Sequence, residues 1–175
     1  FDFVLGRLLL QKGLTDLKID TDLGKIKTYL SGKPFLDQIN FNISHTSGRV
    51  VCALSTEGAI GIDIEKIKQV KLDDFEAFFT KTEWKNIHSA GSPLHRFYYY
   101  WTRKESLIKA MGVQLSYLHL IEVDSSINWF MDKGMQWYLG DVDLGNEYQS
   151  AICSESTHST VKYNEVDHFD FLRNK

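Results

Sequence analysis

Asp63 and Glu65 stand two positions apart in the stretch AIGIDIEKIK, residues 59–68. In an extended chain alternate side chains point the same way. Gly61, Asp63 and Glu65 therefore share one side, and Ile60, Ile62 and Ile64 the other. Paired carboxylates suit a hard divalent cation such as Mg2+, which takes oxygen ligands and keeps waters or substrate phosphates. Gly61 on that side leaves room for a ligand to approach the backbone. A solvent-facing strand, charged to discourage aggregation, explains the same pattern. Taken alone, this segment favours that plainer reading.

A second group lies in YYYWTRKESLIKAMG, residues 98–112. Trp101, Glu105 and Lys109 recur at helical spacing and share a face, while Lys104 points elsewhere. A Glu with a Lys one turn later offers a metal ligand beside a phosphate-binding ammonium. It also matches an ordinary helix pair worth about 0.2–0.5 kcal/mol, which is the better reading of this helix by itself. The aromatics Phe97 to Trp101 read as packing. The third group is FNISHTSGR, residues 41–49, where Ser44, His45, Thr46 and Ser47 gather around Gly48 and Arg49. Such donors suit a phosphate, and a polar hairpin turn equally well. Neighbouring Ser and His on a strand face opposite sides, and no G-x-S-x-G elbow exists, so hydrolase chemistry is not indicated. The six histidines and two cysteines show no zinc spacing, and neither GxGxxG nor a Walker A sequence occurs.

These residues need elements to position them. Apolar spacing predicts a helix over 3–12 stopped by Gly13, a short strand DLKI, and a turn at SGKPF, residues 31–35. INFNIS, RVVCALS and IGIDIE read as strands, with TEG a tight hairpin between the last two. Helices follow at LDDFEAFF, at TKTEWKNIHSAG with Thr82 as N-cap and Gly91 as stop, and at SPLHRFYYYWTRKESLIKAMG closed by Gly112. Strands return at HLIEV, INWFM, MQWYLGDV and YQSAICS, with DKG a hairpin turn and TVKYNEV a final strand. The order is helix, strands, helices, strands. That predicts an α+β fold with mainly antiparallel sheets rather than β-α-β units. The halves look loosely alike, which hints at duplication.

With 175 residues, 43% of them hydrophobic and 25% charged, the chain fits one large globular domain or two small packed ones. A net charge of −3 gives no support for nucleic-acid binding. No apolar run is long enough for a bilayer, and the apolar opening lacks a basic n-region and cleavage site. Cys52 and Cys153 read as buried free thiols, which makes the cytoplasm the expected compartment.

Each signal is weak, but their order is specific. GKPF, FNISHTSG, GIDIEKIK, FFTKTEW and YYYWTRKESLIKAMG together resemble the 4'-phosphopantetheinyl transferase superfamily, surfactin-synthetase-activating type, from about residue 3 to beyond 150. The resemblance implies an α+β pseudo-dimer of two similar halves, 1–60 and 61–175, with the active site between them. It implies Mg2+ held by Asp63, Glu65 and Glu105, with catalysis by Glu105 and Lys109. Contacts to coenzyme A fall to Lys33, Ser44, His45, Lys104 and Lys109, Lys104 in a supporting role. The carrier-docking region corresponds to Ile67 to about Phe79.

The implied reaction moves 4'-phosphopantetheine from coenzyme A to a serine of an apo-acyl or peptidyl carrier protein, leaving 3',5'-ADP. Glu105 or a metal-bound water takes the serine proton. A monomer is expected. The alternatives are a non-catalytic module binding coenzyme A or 3',5'-ADP, and a Mg2+-dependent pyrophosphate-bond hydrolase. Members of that family usually carry several dozen residues before the point that matches Phe1, with basic side chains for the 3'-phosphate; Asp2 stands close to where a basic residue is common. The expectation is thus either a piece of a longer protein or a weaker grip on the nucleotide.

Overall fold

A computed structural model describes residues 2–156, 161–162 and 164–167. Helix α1 (Asp2–Asp16) is followed by the small hairpin β1 (Lys27–Thr28) and β2 (Pro34–Phe35), whose turn is SGKPF. Strands β3 (Asn40–Thr46) and β4 (Arg49–Ser55) form an antiparallel pair, and α1 lies on it. Leu10 and Leu14 of α1 bury against Leu36, Ile39 and Phe41. Gly13 does not stop this helix. It sits inside α1, where a Cβ would come 2.7 Å from Leu54 Cδ1, so its lack of a side chain lets helix and hairpin close together. The helix ends instead at Asp16, and Lys18 in the turn that follows takes φ 57°, so DLKI is helix end and turn rather than strand.

Strand β5 (Ile60–Lys66) belongs to a different sheet. With β6 (Trp129–Asp132), β7 (Met135–Asp141) and β8 (Tyr148–Ser154) it forms an antiparallel sheet in the order β5-β8-β7-β6. TEG is therefore no hairpin: the chain there passes from one sheet to the next. The DKG turn is one, since Lys133 and Gly134 both take positive φ, 48° and 83°, between paired Asp132 and Met135. Helix α2 (Lys81–Ser89) is capped by Thr80, not Thr82: the Thr80 hydroxyl accepts from Glu83 N–H while the Glu83 carboxylate accepts from Thr80 N–H. Helix α3 (Pro93–Met111) ends at Gly112, as its spacing predicts. HLIEV is not a strand; it is the end of a 3-10 turn and a loop whose Ile121 and Val123 plug the core. Of TVKYNEV, Thr160 and Tyr163 lie outside the described residues, and the others carry no strand.

The main core lies between α3 and the four-stranded sheet, where Phe97, Tyr100, Leu107, Leu118, Trp137 and Cys153 meet. The architecture is α+β with antiparallel sheets, as expected. Among the described residues no helix is long and apolar enough to cross a membrane. Both cysteines are free thiols, and burial pushes Cys52 up to about 12 and Cys153 further still.

Candidate active site

The acidic strand has no wet face. Residues 60–64 of β5 are all buried, because β5 lies with α3 on one side and with β3 along its edge. A Cβ on Gly61 would come 2.1 Å from the Ser106 carbonyl oxygen and 2.4 Å from Ala110 N. The room at Gly61 thus admits the backbone of α3 rather than a ligand. That contact brings Glu105 and Lys109 to the level of Asp63.

Asp63 is 2% exposed. Its Oδ1 accepts from Lys109 Nζ at 2.6 Å and from Ser44 Oγ at 2.9 Å, and Lys109 also donates to Ser44 at 3.1 Å. From the far side Ser150 Oγ donates to the Asp63 carbonyl at 2.6 Å. Asp63 Oδ2 is buried with no hydrogen-bond partner. Glu105 lies 3.9 Å from Lys109 Nζ. Its carboxyl is raised to about 7, first by burial and then by Asp63 and Glu65, against the opposing pull of Lys109. Glu65 is raised in the same way, by burial and by Asp63. Three carboxyl groups from two elements therefore share a site, with the Lys109 ammonium bonded to Asp63 and Lys68 also acting on Glu65.

Among the described residues no three His, Cys, Asp or Glu side chains stand close enough together to hold a metal ion. The chemistry still fits a hard cation. An orphaned buried carboxylate oxygen costs about 1–3 kcal/mol or more, and oxygen donors are what Mg2+ takes. Lys109 fills part of that demand, on Oδ1 alone.

The other expected residues divide. Ser44 is in the cluster. His45 is on the opposite side of β3, exposed, 3.6 Å from Asp2. Arg49 pairs with Glu165 and lies over the Tyr148 ring, so the polar turn 44–49 does not converge on one point. Lys33 is half-buried, and its Nζ donates to the Ala110 carbonyl at 2.7 Å and the Ile60 carbonyl at 3.3 Å, tying the SGKPF turn to the end of α3 and the start of β5. Lys104 is not with the cluster. It is 1% exposed, and its Nζ donates to Glu83 at 2.6 Å and to the Ile121 carbonyl at 2.8 Å. Burial pushes its pKa down, with Glu83 opposing. So enclosed, Lys104 is turned toward Glu83 and the Ile121 carbonyl and away from the Asp63 cluster.

Asn42 escaped the sequence reading, and Thr46 figures there only as a phosphate donor. Asn42 Oδ1 accepts from Ile62 N–H at 2.9 Å, and Thr46 Oγ accepts from Lys66 N–H at 3.1 Å and reaches Glu65 Oε2 at 3.4 Å. The signal was present: Asn42, Ser44 and Thr46 alternate with Phe41 and Ile43, so the polar side of β3 runs on past His45.

The chain thus defines a class by itself: an α+β protein with a buried carboxylate–lysine site where two sheets meet. The family model of the 4'-phosphopantetheinyl transferase superfamily matches residues 59–165. The chain belongs to that superfamily. It is 41% identical to the 4'-phosphopantetheinyl transferase gsp of Aneurinibacillus migulanus over 62% of this chain and 47% of that protein. It is 31% identical to the L-aminoadipate-semialdehyde dehydrogenase-phosphopantetheinyl transferase of Xenopus laevis, over 93% of this chain and 62% of the relative. It is 29% identical to the 4'-phosphopantetheinyl transferase Sfp of Bacillus subtilis (strain 168), over 86% of this chain and 72% of the relative. The first two of these relatives are spanned over only 47% and 62% of their length. A holo-[acyl-carrier-protein] synthase structure from Thermotoga maritima matches with TM-score 0.38 and 12% identity over 55% of this chain and 61% of that one, too distant to carry an argument.

Proposed function

We propose that this chain carries the catalytic site of a phosphopantetheinyl transferase, which moves 4'-phosphopantetheine from coenzyme A to a serine of an apo-acyl or peptidyl carrier protein. The observation that carries the reading is Asp63: a buried carboxylate with one oxygen orphaned, beside Glu65 and Glu105, and one lysine on its other oxygen. Family membership supports it.

Asp63, Glu65 and Glu105 would hold Mg2+, which when bound supplies charge neutralisation for a pyrophosphate. Lys109, which bonds Asp63 Oδ1, would supply the ammonium for a phosphate oxygen beside that cation. The serine oxygen bonds to the phosphorus of coenzyme A next to the pantetheine. The bond from that phosphorus to the bridging oxygen breaks, and 3',5'-ADP leaves with the electron pair. Lys109 offsets the charge growing on the leaving phosphate. Glu105, as its carboxylate, takes the serine proton. Ser44 and His45 serve the nucleotide end. Lys33 and Lys104 are assigned to holding α3 rather than coenzyme A. The carrier docks along Ile67–Phe79, where Phe75 and Phe78 are half-buried. The two α+β halves form a pseudo-dimer within a cytoplasmic monomer.

The test uses the full-length protein with coenzyme A, Mg2+ and a panel of apo-carriers, read by intact-protein mass spectrometry. A gain of the phosphopantetheine mass is expected. No gain with any carrier overturns the reading. Thermal stabilisation by coenzyme A without transfer points to the non-catalytic module, and phosphopantetheine released without a carrier to the hydrolase.

A further inference from the structure

Strand β5 is the edge of its sheet. Ile67 N–H donates to the Glu147 carbonyl on the β8 side. The alternate amides of Ile62, Ile64 and Lys66 therefore face away from β8. In an ordinary sheet another strand's backbone would pair with them. Here β3 runs alongside in the same direction and meets them with side chains. Asn42 accepts from Ile62 N–H, and Thr46 accepts from Lys66 N–H. Between these rungs Ser44 donates to Asp63.

Two hydroxyls, on Ser44 and Thr46, thus repeat one pattern two residues apart. Each accepts from a nitrogen, Lys109 Nζ or Lys66 N–H, and each directs its own proton at a carboxylate, Asp63 or Glu65. A hydroxyl has one proton, so accepting the amide leaves that proton for the acid.

We propose that Asn42 and Thr46 are positioning residues, whose bonds to the free edge of β5 set the acidic strand against β3 and hold Glu65 in its place in the metal site. This rests on the metal reading above and adds two residues that act through β5. It accounts for why the polar face of β3 continues past Ser44. It also gives the two sheets a register that backbone pairing does not supply.

The test separates the hydroxyl from the bulk it occupies. Thr46→Val keeps shape and β-branching and removes the hydroxyl, while Thr46→Ser keeps the hydroxyl. Mn2+ binding by the full-length protein, followed by the free-ion EPR signal, needs no transfer reaction. We expect Thr46→Val to weaken Mn2+ about tenfold, the scale of one hydrogen bond to a charged group. Thr46→Ser should stay within about twofold, with all melting temperatures close to that of the parent. Asn42→Leu should weaken Mn2+ as well and speed amide exchange at Ile62 about tenfold or more.

Parent-like Mn2+ affinity in Thr46→Val overturns the proposal. So does a Thr46→Ser variant as weak as Thr46→Val, or an affinity loss that merely tracks a fall in melting temperature. If the parent binds no Mn2+, the metal reading fails and takes this with it. If the Val/Ser split is seen but no carrier is modified, the positioning role stands and the transferase reading fails.

Discussion

Helix α3 carries two lysines, Lys104 and Lys109, and each ends 2.6 Å from a carboxylate. The pairs are alike in length and unlike in everything else. Lys104 and Glu83 are each 1% exposed. Glu83 also accepts from Thr80 N–H and Val123 N–H, and Lys104 also donates to the Ile121 carbonyl, so both Glu83 oxygens are bonded. Lys109 is 28% exposed, and its partner Asp63 keeps an oxygen with no partner. One pair is a closed lock between α2, α3 and the 121–123 loop. The other is held open, with donor capacity unspent and a second and third carboxylate nearby. A short ion pair by itself marks neither function nor structure. The count of satisfied partners separates them.

The largest expected effect breaks the closed pair. Glu83→Ala leaves the Lys104 ammonium buried without its counter-charge, and should cost about 3–5 kcal/mol of stability by urea unfolding. Replacing both partners with apolar residues of similar volume, Glu83→Leu with Lys104→Met, should cost less than the single change. Mg2+ should restore neither. A loss from Glu83→Ala below about 1 kcal/mol would place this pair with ordinary surface pairs and erase the contrast.

The open pair should fail differently. Lys109→Ala should lower transfer by about 10²–10³-fold, equal to about 2.7–4 kcal/mol of transition-state stabilisation. Its stability loss, from leaving Asp63 uncompensated, should be partly recovered by Mg2+, since a cation bound only by the folded state stabilises it. Thermal melts with and without Mg2+ read this directly. If Mg2+ rescues Glu83→Ala and Lys109→Ala alike, the two pairs are not distinct in kind.

The sequence shows one of these pairs better than the other. Asp63, Glu105 and Lys109 were legible because a strand and a helix each put their acids at fixed spacing, and motif order joined them. Glu83 was not, because its partner lies in another helix and its role depends on a fold-level contact. The same holds for Gly61, whose spacing placed it with the acids while only packing shows that α3 fills the space. The strands 49–55 and 148–154 were read with their bounds because alternation and turn residues agree. HLIEV was misread because Ile121 and Val123 bury at a strand-like period from a loop. TEG was misread because two strands joined by a short turn need not pair. The sequence suggests Thr82 as N-cap where Thr80 serves, although the Thr80–Glu83 spacing is itself the capping-box signature. A smaller prediction follows from that correction: Thr80→Ala should cost about 1 kcal/mol, and Thr82→Ala less than half of it, by chemical denaturation.

A third lysine shares features of both pairs. Lys33 is half-buried where Lys104 is fully enclosed, and it has carbonyls rather than a carboxylate as partners. Burial lowers its pKa to about 8, with the Cys153 thiol acting weakly in the opposite sense. Between about pH 8 and the unfolded value near 10.5, the unfolded chain therefore holds more protons at this site than the folded one. Stability must then rise with pH across that window. Below pH 8 both states keep the proton, so the burial penalty is complete and constant. Comparison with Lys33→Met isolates the site, because every other group titrates in both proteins. The stability of the parent relative to Lys33→Met should be flat below pH 8 and climb above it. The slope is at most about 1.4 kcal/mol per pH unit, and less in practice because water still reaches part of the side chain. A difference that stays constant from pH 7 to 10 would show that the two carbonyls compensate the ammonium fully. Lys33 would then belong with the closed pair.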